Sequence, residues 1–117
     1  MNTEDRELLE LAAKAAGVVG EVFEYGNGQV CIHVPRDTSY GFGYSIWDPL
    51  EGDGDAFRLM VALCMTVGAA PNYPLLAERW AGISPDLVCR EEDGNDHAAA
   101  TRRAITRAAA EIGREMA

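Results

Sequence analysis

Val18-Val19-Gly20-Glu21-Val22-Phe23-Glu24-Tyr25-Gly26-Asn27-Gly28-Gln29-Val30-Cys31-Ile32-His33-Val34 carries a period of two on both sides of a Gly-Asn-Gly turn. Val30, Ile32 and Val34 fall on one face, with Cys31 and His33 on the other, the pattern of a pleated strand. Gly26, Asn27 and Gly28 tolerate positive φ and can reverse the chain. The reading is a hairpin, residues 18–25 with 29–34, that Pro35 ends. A third strand follows over 40–47, with Phe42, Tyr44 and Ile46 on one face and Gly41, Gly43 and Ser45 opposite. Six of the nine aromatic residues lie between Phe23 and Trp47, so this meander holds most of the large side chains.

Upstream, residues 3–16 predict a helix. Thr3 is the expected N-cap, Glu4, Asp5 and Glu7 occupy the first turn, and Gly17 supplies a left-handed stop. Leu8, Leu11, Ala12 and Ala15 form its apolar face, and Glu10 with Lys14 is an i,i+4 pair.

Downstream, Asp48-Pro49-Leu50-Glu51-Gly52-Asp53-Gly54-Asp55 is an acidic loop. Asp53 or Asp55 is expected to cap a helix over 56–67. Phe57, Leu59, Met60, Val61, Ala62, Leu63, Cys64 and Met65 make that helix apolar around almost its whole circumference, so it is expected to be buried on most sides. A covering loop over 68–86 or a homodimer through residues 56–67 would supply the burial. Pro71, Pro74 and Pro85 interrupt 68–86, which reads as a long ordered loop. Residues 87–91 read as a short fourth strand. Asp96 caps a final helix over 97–116, whose narrow stripe is Thr101, Ile105, Ala108, Ile112 and Met116, with Arg107 and Glu111 as a surface pair.

The fold class is therefore α+β. A three- to four-stranded antiparallel sheet packs with three helices as a layered α/β/α sandwich, in the order α-β-β-β-α-(β)-α, and residues 1–117 form a single domain.

The chain has 117 residues and a net charge of −9. Residues 1–55 hold eleven acids and three bases, and residues 56–117 hold eight and seven. The first half thus carries nearly all the excess, which repels phosphate and argues against direct nucleic-acid binding. Cys31, Cys64 and Cys89 form no CxxC pair and no cluster with His33 or His97, so no zinc site or disulfide framework is signalled. No signal peptide or membrane-spanning run is legible, and the expected location is the cytoplasm.

Asp48, Asp53 and Asp55 on a Gly-rich loop resemble a cation site in composition. Their spacing departs from an EF-hand and fits a turn and cap better. His33 has no partner pattern for general-base work. Cys31 is the cysteine worth testing, since Cys64 lies in the apolar helix. Arg102, Arg103 and Arg107 could contact phosphate, or answer the acidic first half of the same chain. No catalytic, cofactor-binding or metal-binding set is legible.

Two stretches resemble the phage ABA-sandwich domain family. One is Trp47-Asp48-Pro49-Leu50 followed by Gly52-Asp53-Gly54-Asp55-Ala56-Phe57-Arg58-Leu59. The other is Ala100-Thr101-Arg102-Arg103-Ala104-Ile105 followed by Arg107-Ala108-Ala109-Ala110-Glu111-Ile112-Gly113. The resemblance implies an α/β/α layered fold, an origin in a phage or prophage, and location in the bacterial host's cytoplasm. It brings no catalytic residues. The motif would fix the strand-to-helix turn, with Trp47 as anchor.

The function expected on these grounds is that of a non-enzymatic phage accessory protein that binds a host or phage protein, without cofactor. Two alternatives stand beside it. One is an acidic inhibitor of a nucleic-acid-binding or host-defence protein, a nucleic-acid mimic of the anti-CRISPR type. The other is a small metal-dependent enzyme using the 48–55 loop.

Overall fold

The structure, a computed structural model, describes residues 3–38, 41–68, 75–81, 84–91 and 97–116, with side chains over 3–36, 43–65 and 98–116. The described residues form nine elements: α1 (Thr3–Ala16), β1 (Glu21–Glu24), β2 (Val30–Thr38), β3 (Gly41–Trp47), α2 (Asp53–Ala62), β4 (Met65–Gly68), β5 (Leu75–Ala81), β6 (Ser84–Glu91) and α3 (His97–Glu115). The expected α+β order is present: three helices and a three-stranded antiparallel sheet, α-β-β-β before α2 and α3. Beyond it, β4, β5 and β6 build a second three-stranded antiparallel sheet where one short strand was expected.

The helix α1 spans Thr3–Ala16, so Thr3, the expected N-cap, is its first residue instead. Gly17 takes φ 74, and the Val18 N–H donates to the Ala13 carbonyl at 2.9 Å, closing the helix with a left-handed glycine. Its buried face is Leu8, Leu9, Ala12 and Ala13, not the expected Leu8, Leu11, Ala12 and Ala15. The reason is that α1 sits in a corner. Leu9 packs with Val30 and Ile32 of the first sheet, while Ala12 packs with Ala104, Ile105 and Ala108 of α3. Glu10 pairs with Arg6 at 3.2 Å, and Lys14 donates to the Met116 carbonyl at 3.0 Å, so the expected Glu10–Lys14 pair gives way to a tie from the last turn of α1 to the residue after α3.

In the first sheet, β1 pairs with β2 from Glu21 opposite His33 to Glu24 opposite Val30. Gly28 takes φ 89 in the connecting turn, and Asn27 Oδ1 accepts from the Gln29 N–H at 3.0 Å. Strand β2 runs through Pro35, which was expected to end it, and pairs with β3 as far as Thr38. Past His33, β1 no longer flanks β2, so the missing proline N–H falls in a stretch with one neighbouring strand.

The two later helices exchange the roles the sequence suggested. Helix α2 buries Ala56 and Leu59 and leaves Phe57 61% and Val61 56% exposed. It ends at Ala62, because Cys64 turns the chain at φ 55 into β4. Cys64 is therefore exposed rather than deep in a helix. Helix α3 is the one buried on several sides, at Ala104, Ile105, Thr106, Ala108, Ala109, Ala110 and Gly113. Its small side chains let α1, α2 and all three strands of the second sheet approach it. The narrow stripe expected there is thus too narrow, and Met116 lies exposed. The first sheet rests on α1 and the second on α3, with α1 and α3 packed together. The helices therefore back two sheets, where a single sheet with helices on both sides was the expectation.

Gly113 is the point of closest approach. A Cβ there would overlap the Leu11 carbonyl, so only glycine lets the two helix backbones meet.

Candidate functional site

The 48–55 segment is a closed turn between β3 and α2. Trp47, the last residue of β3, packs against both apolar clusters and so joins the α1–sheet core to the helical core. The Asp48 carbonyl accepts from the N–H groups of Glu51 at 3.2 Å and Gly52 at 2.7 Å. Its backbone N–H donates to Asp55 Oδ2 at 2.9 Å, and its own Oδ1 accepts from the Leu50 N–H at 3.2 Å. Asp48 is buried, and desolvation pushes its carboxyl up to about 6.

Neither Asp53 nor Asp55 is the helix cap. The N-cap is Gly52, in extended conformation and without a side-chain cap bond. Both aspartates lie inside the first turn, where the helix dipole favours them. The helix begins early enough for Asp55 to reach back and close the turn, while also accepting from Arg58 at 2.8 Å. Asp53 instead points to α3.

Three arginines of α3 hold the acidic first half of the chain. Arg102 donates from Nε to the Leu50 carbonyl at 2.9 Å and from a terminal nitrogen to Asp53 at 2.8 Å. Arg103 bridges Asp5 at 2.9 Å and Glu4 at 3.1 Å. Arg114 holds Glu7 at 3.2 Å and also Glu111, the residue expected to pair with Arg107. Arg107 lies partly buried on the same helix. Arg102 and Arg103 are therefore engaged by carboxylates of the same chain, the second of the two roles weighed for them.

Beside this turn is a cavity of about 470 Å³ whose polar lining includes Asp5, Asn27, Gln29, Asp48 and Glu51. Among the described residues, no three His, Cys, Asp or Glu side chains are grouped so as to hold a metal ion. Asp48, Asp53 and Asp55 point to three different partners, and the geometry supplies a clasp rather than a ligand cage.

The open face of the first sheet presents a different chemistry. Its inner face, Val22, Val30, Ile32, Val34 and Trp47, packs under Leu9. On the outer face, Phe23, His33 and Tyr44 form a diagonal stack across three strands. The Phe23–His33 centroids are 4.5 Å apart and the His33–Tyr44 centroids 4.0 Å, each pair 12° from parallel. Tyr25 meets Phe23 edge-on at 5.0 Å. Tyr44 is 58% exposed and Ile46, beside His33 in the register, 52%. His33 Nε2 is buried with no hydrogen-bond partner among the described residues. Cys31 is buried on the same face, its thiol 3.6 Å from the Tyr25 hydroxyl. This is the inert setting for a thiol.

This aromatic face was not singled out as a site in the sequence, although its signal is there. The alternation puts Phe23, His33, Tyr44 and Ile46 on one side and an equally apolar valine set on the other, and one helix can cover only one side. The side chains of Cys89 and His97, and the expected cap Asp96, lie outside the described residues.

No family model, curated protein or solved structure matches this chain. Among the described residues, no helix is long and apolar enough to cross a membrane.

Proposed function

We propose that this chain is a protein-binding module without catalytic chemistry of its own, and that it takes its partner on the open face of the first sheet. The observation that carries this reading is the exposed Phe23–His33–Tyr44 stack with Ile46 beside it. Exposed aromatics grouped on a rigid sheet are the kind of surface that anchors protein interfaces. The stack belongs to the acidic half of the chain, with Glu21 opposite His33 at its edge. A partner with an apolar centre and a basic rim fits best, since complementary charge steers the encounter. The same charge disfavours stacking of nucleic-acid bases on the rings. The setting in a phage or prophage, with a host or phage protein as partner, rests on the resemblance of the motifs at 47–59 and 100–113.

The test compares immobilised wild type with Tyr44→Asp and with Val61→Asp, which alters a different face. The capture uses bacterial lysate and quantitative mass spectrometry. Proteins held by wild type and by Val61→Asp but released by Tyr44→Asp are the expected result. Identical captures by wild type and Tyr44→Asp would overturn the reading.

A further inference from the structure

Helix α2 has an outer stripe that the rest of the described fold leaves uncovered. Phe57 and Val61 lie one turn apart and more than half exposed, and Cys64, three residues on, is exposed as well. Between α2 and α3 runs an open groove of about 420 Å³ whose walls include Phe57 itself, with Ala56, Met60, Ala98, Thr101 and Ile105. A protruding aromatic and an apolar groove therefore stand on one face. An interface with two-fold symmetry must be self-complementary, and a patch that supplies both a knob and a hole meets that condition.

Charge identifies the occupant. Two copies of a chain carrying −9 repel each other, so self-association is confined to a face where charge cancels locally. On α2 it cancels: Asp53 is paired with Arg102 at the rim of the groove, and Asp55 with Arg58 at 2.8 Å. Those two acids are each matched by a base, whereas the other nine acids of residues 1–55 stand against three bases. A basic partner would find little to attract it to the α2 face, and a second acidic copy finds little to repel it.

We infer that the α2–α3 groove, with Phe57 on its wall and Val61 beside it, seats the same face of a second copy of this chain. The association is independent of the partner-binding sheet face, which lies on a different element. It is apolar in origin, so raising salt strengthens it by screening the mutual repulsion of two acidic chains.

Sedimentation equilibrium of the full chain, from micromolar to near-millimolar concentration and at low and high salt, tests this. The expected result is a mass that climbs from one chain toward two, more readily at high salt. Phe57→Asp, Val61→Asp and the groove-blocking Ala98→Arg are each expected to weaken the dimer about tenfold or more. All three positions are solvent-facing, and unchanged circular-dichroism melting would confirm that the variants fold. Tyr44→Ser is expected to leave the dimer intact. A single-chain mass at every concentration overturns the inference. So does a dimer that survives all three variants, or one that only Tyr44→Ser dissolves.

Discussion

The guanidinium of Arg102 lies 2.9 Å from the carbonyl oxygen of Leu50, a residue 52 positions earlier in the chain. One side chain on α3 thereby satisfies a backbone acceptor in the turn that leads into α2, and the same group holds Asp53 at 2.8 Å. The turn is closed from within by Asp48 and Asp55 and fastened from outside by Arg102.

Arg102→Ala removes both contacts and leaves the Leu50 carbonyl without this donor in a partly buried place. The expected loss is about 1.5–3 kcal/mol, as for a hydrogen bond made by a charged group. Arg102→Lys is expected to fall between, since an ammonium cannot reproduce the two-pronged geometry. Urea unfolding with unchanged slope checks both. A loss below about 0.5 kcal/mol for Arg102→Ala would show that the contact is incidental.

The buried Asp48 carboxyl makes stability depend on pH in an unusual direction. Desolvation raises it from the ordinary 3.8 to about 6 in the folded chain. Between those values the folded state binds more protons than the unfolded state, so this group's contribution to stability falls as pH rises. A shift of about two units corresponds to about 3 kcal/mol once pH exceeds 6. Asp48→Asn keeps an oxygen for the Leu50 N–H and carries no charge. It is expected to match wild type below about pH 4 and to exceed it in stability at pH 7, by an amount of that order. Parallel pH profiles for the two proteins would refute the assignment.

The two flanking aspartates are unequal. Asp53 is largely solvated opposite Arg102, so Asp53→Ala is expected to cost less than about 1 kcal/mol. Asp55→Ala deprives the Asp48 N–H of its acceptor and is expected to cost about 1–2 kcal/mol. Millimolar Ca²⁺ or Mg²⁺ is expected to leave the wild-type melting temperature unchanged. A rise that vanishes in Asp53→Ala or Asp55→Ala would instead make the turn a cation site.

Gly113→Ala is expected to be among the most damaging single-methyl changes in the chain. The added Cβ meets the Leu11 carbonyl, a backbone atom that cannot swing aside. Overpacking of this kind costs about 1–3 kcal/mol, and here the upper end is expected because two helices must separate. Chemical denaturation of Gly113→Ala, with the exposed Ala98→Gly as a contrast, measures it.

The two faces of the first sheet are expected to answer mutation differently. Ile32 is buried against Leu9, and Ile32→Ala is expected to cost about 2–5 kcal/mol. Tyr44→Ala removes one exposed ring from the stack and is expected to cost at most about 1 kcal/mol. A loss at Tyr44 comparable to that at Ile32 would mean that the ring serves the fold and not a partner.

The sequence by itself determined what depends on neighbours a few residues apart. The apolar helical period of α1, its left-handed stop at Gly17 and the hairpin around Gly28 follow from helical spacing, positive φ and the period of two. The first sheet followed for the same reason. Only the tertiary structure decided which helix is central. Residues 56–65 are the more apolar, yet Ala104, Ala108, Ala109 and Gly113 make α3 slim enough to be approached from several sides. Hydrophobicity says that a side chain profits from burial, while side-chain volume governs how many elements can share one helix. The second sheet was not legible because three prolines erase the local period, while its strands pair with one another and pack on α3, with β4 also against α2. The clasp of Arg102 on Leu50 was not legible either: contacts between distant residues carry no sequence period, and folding alone brings those two together.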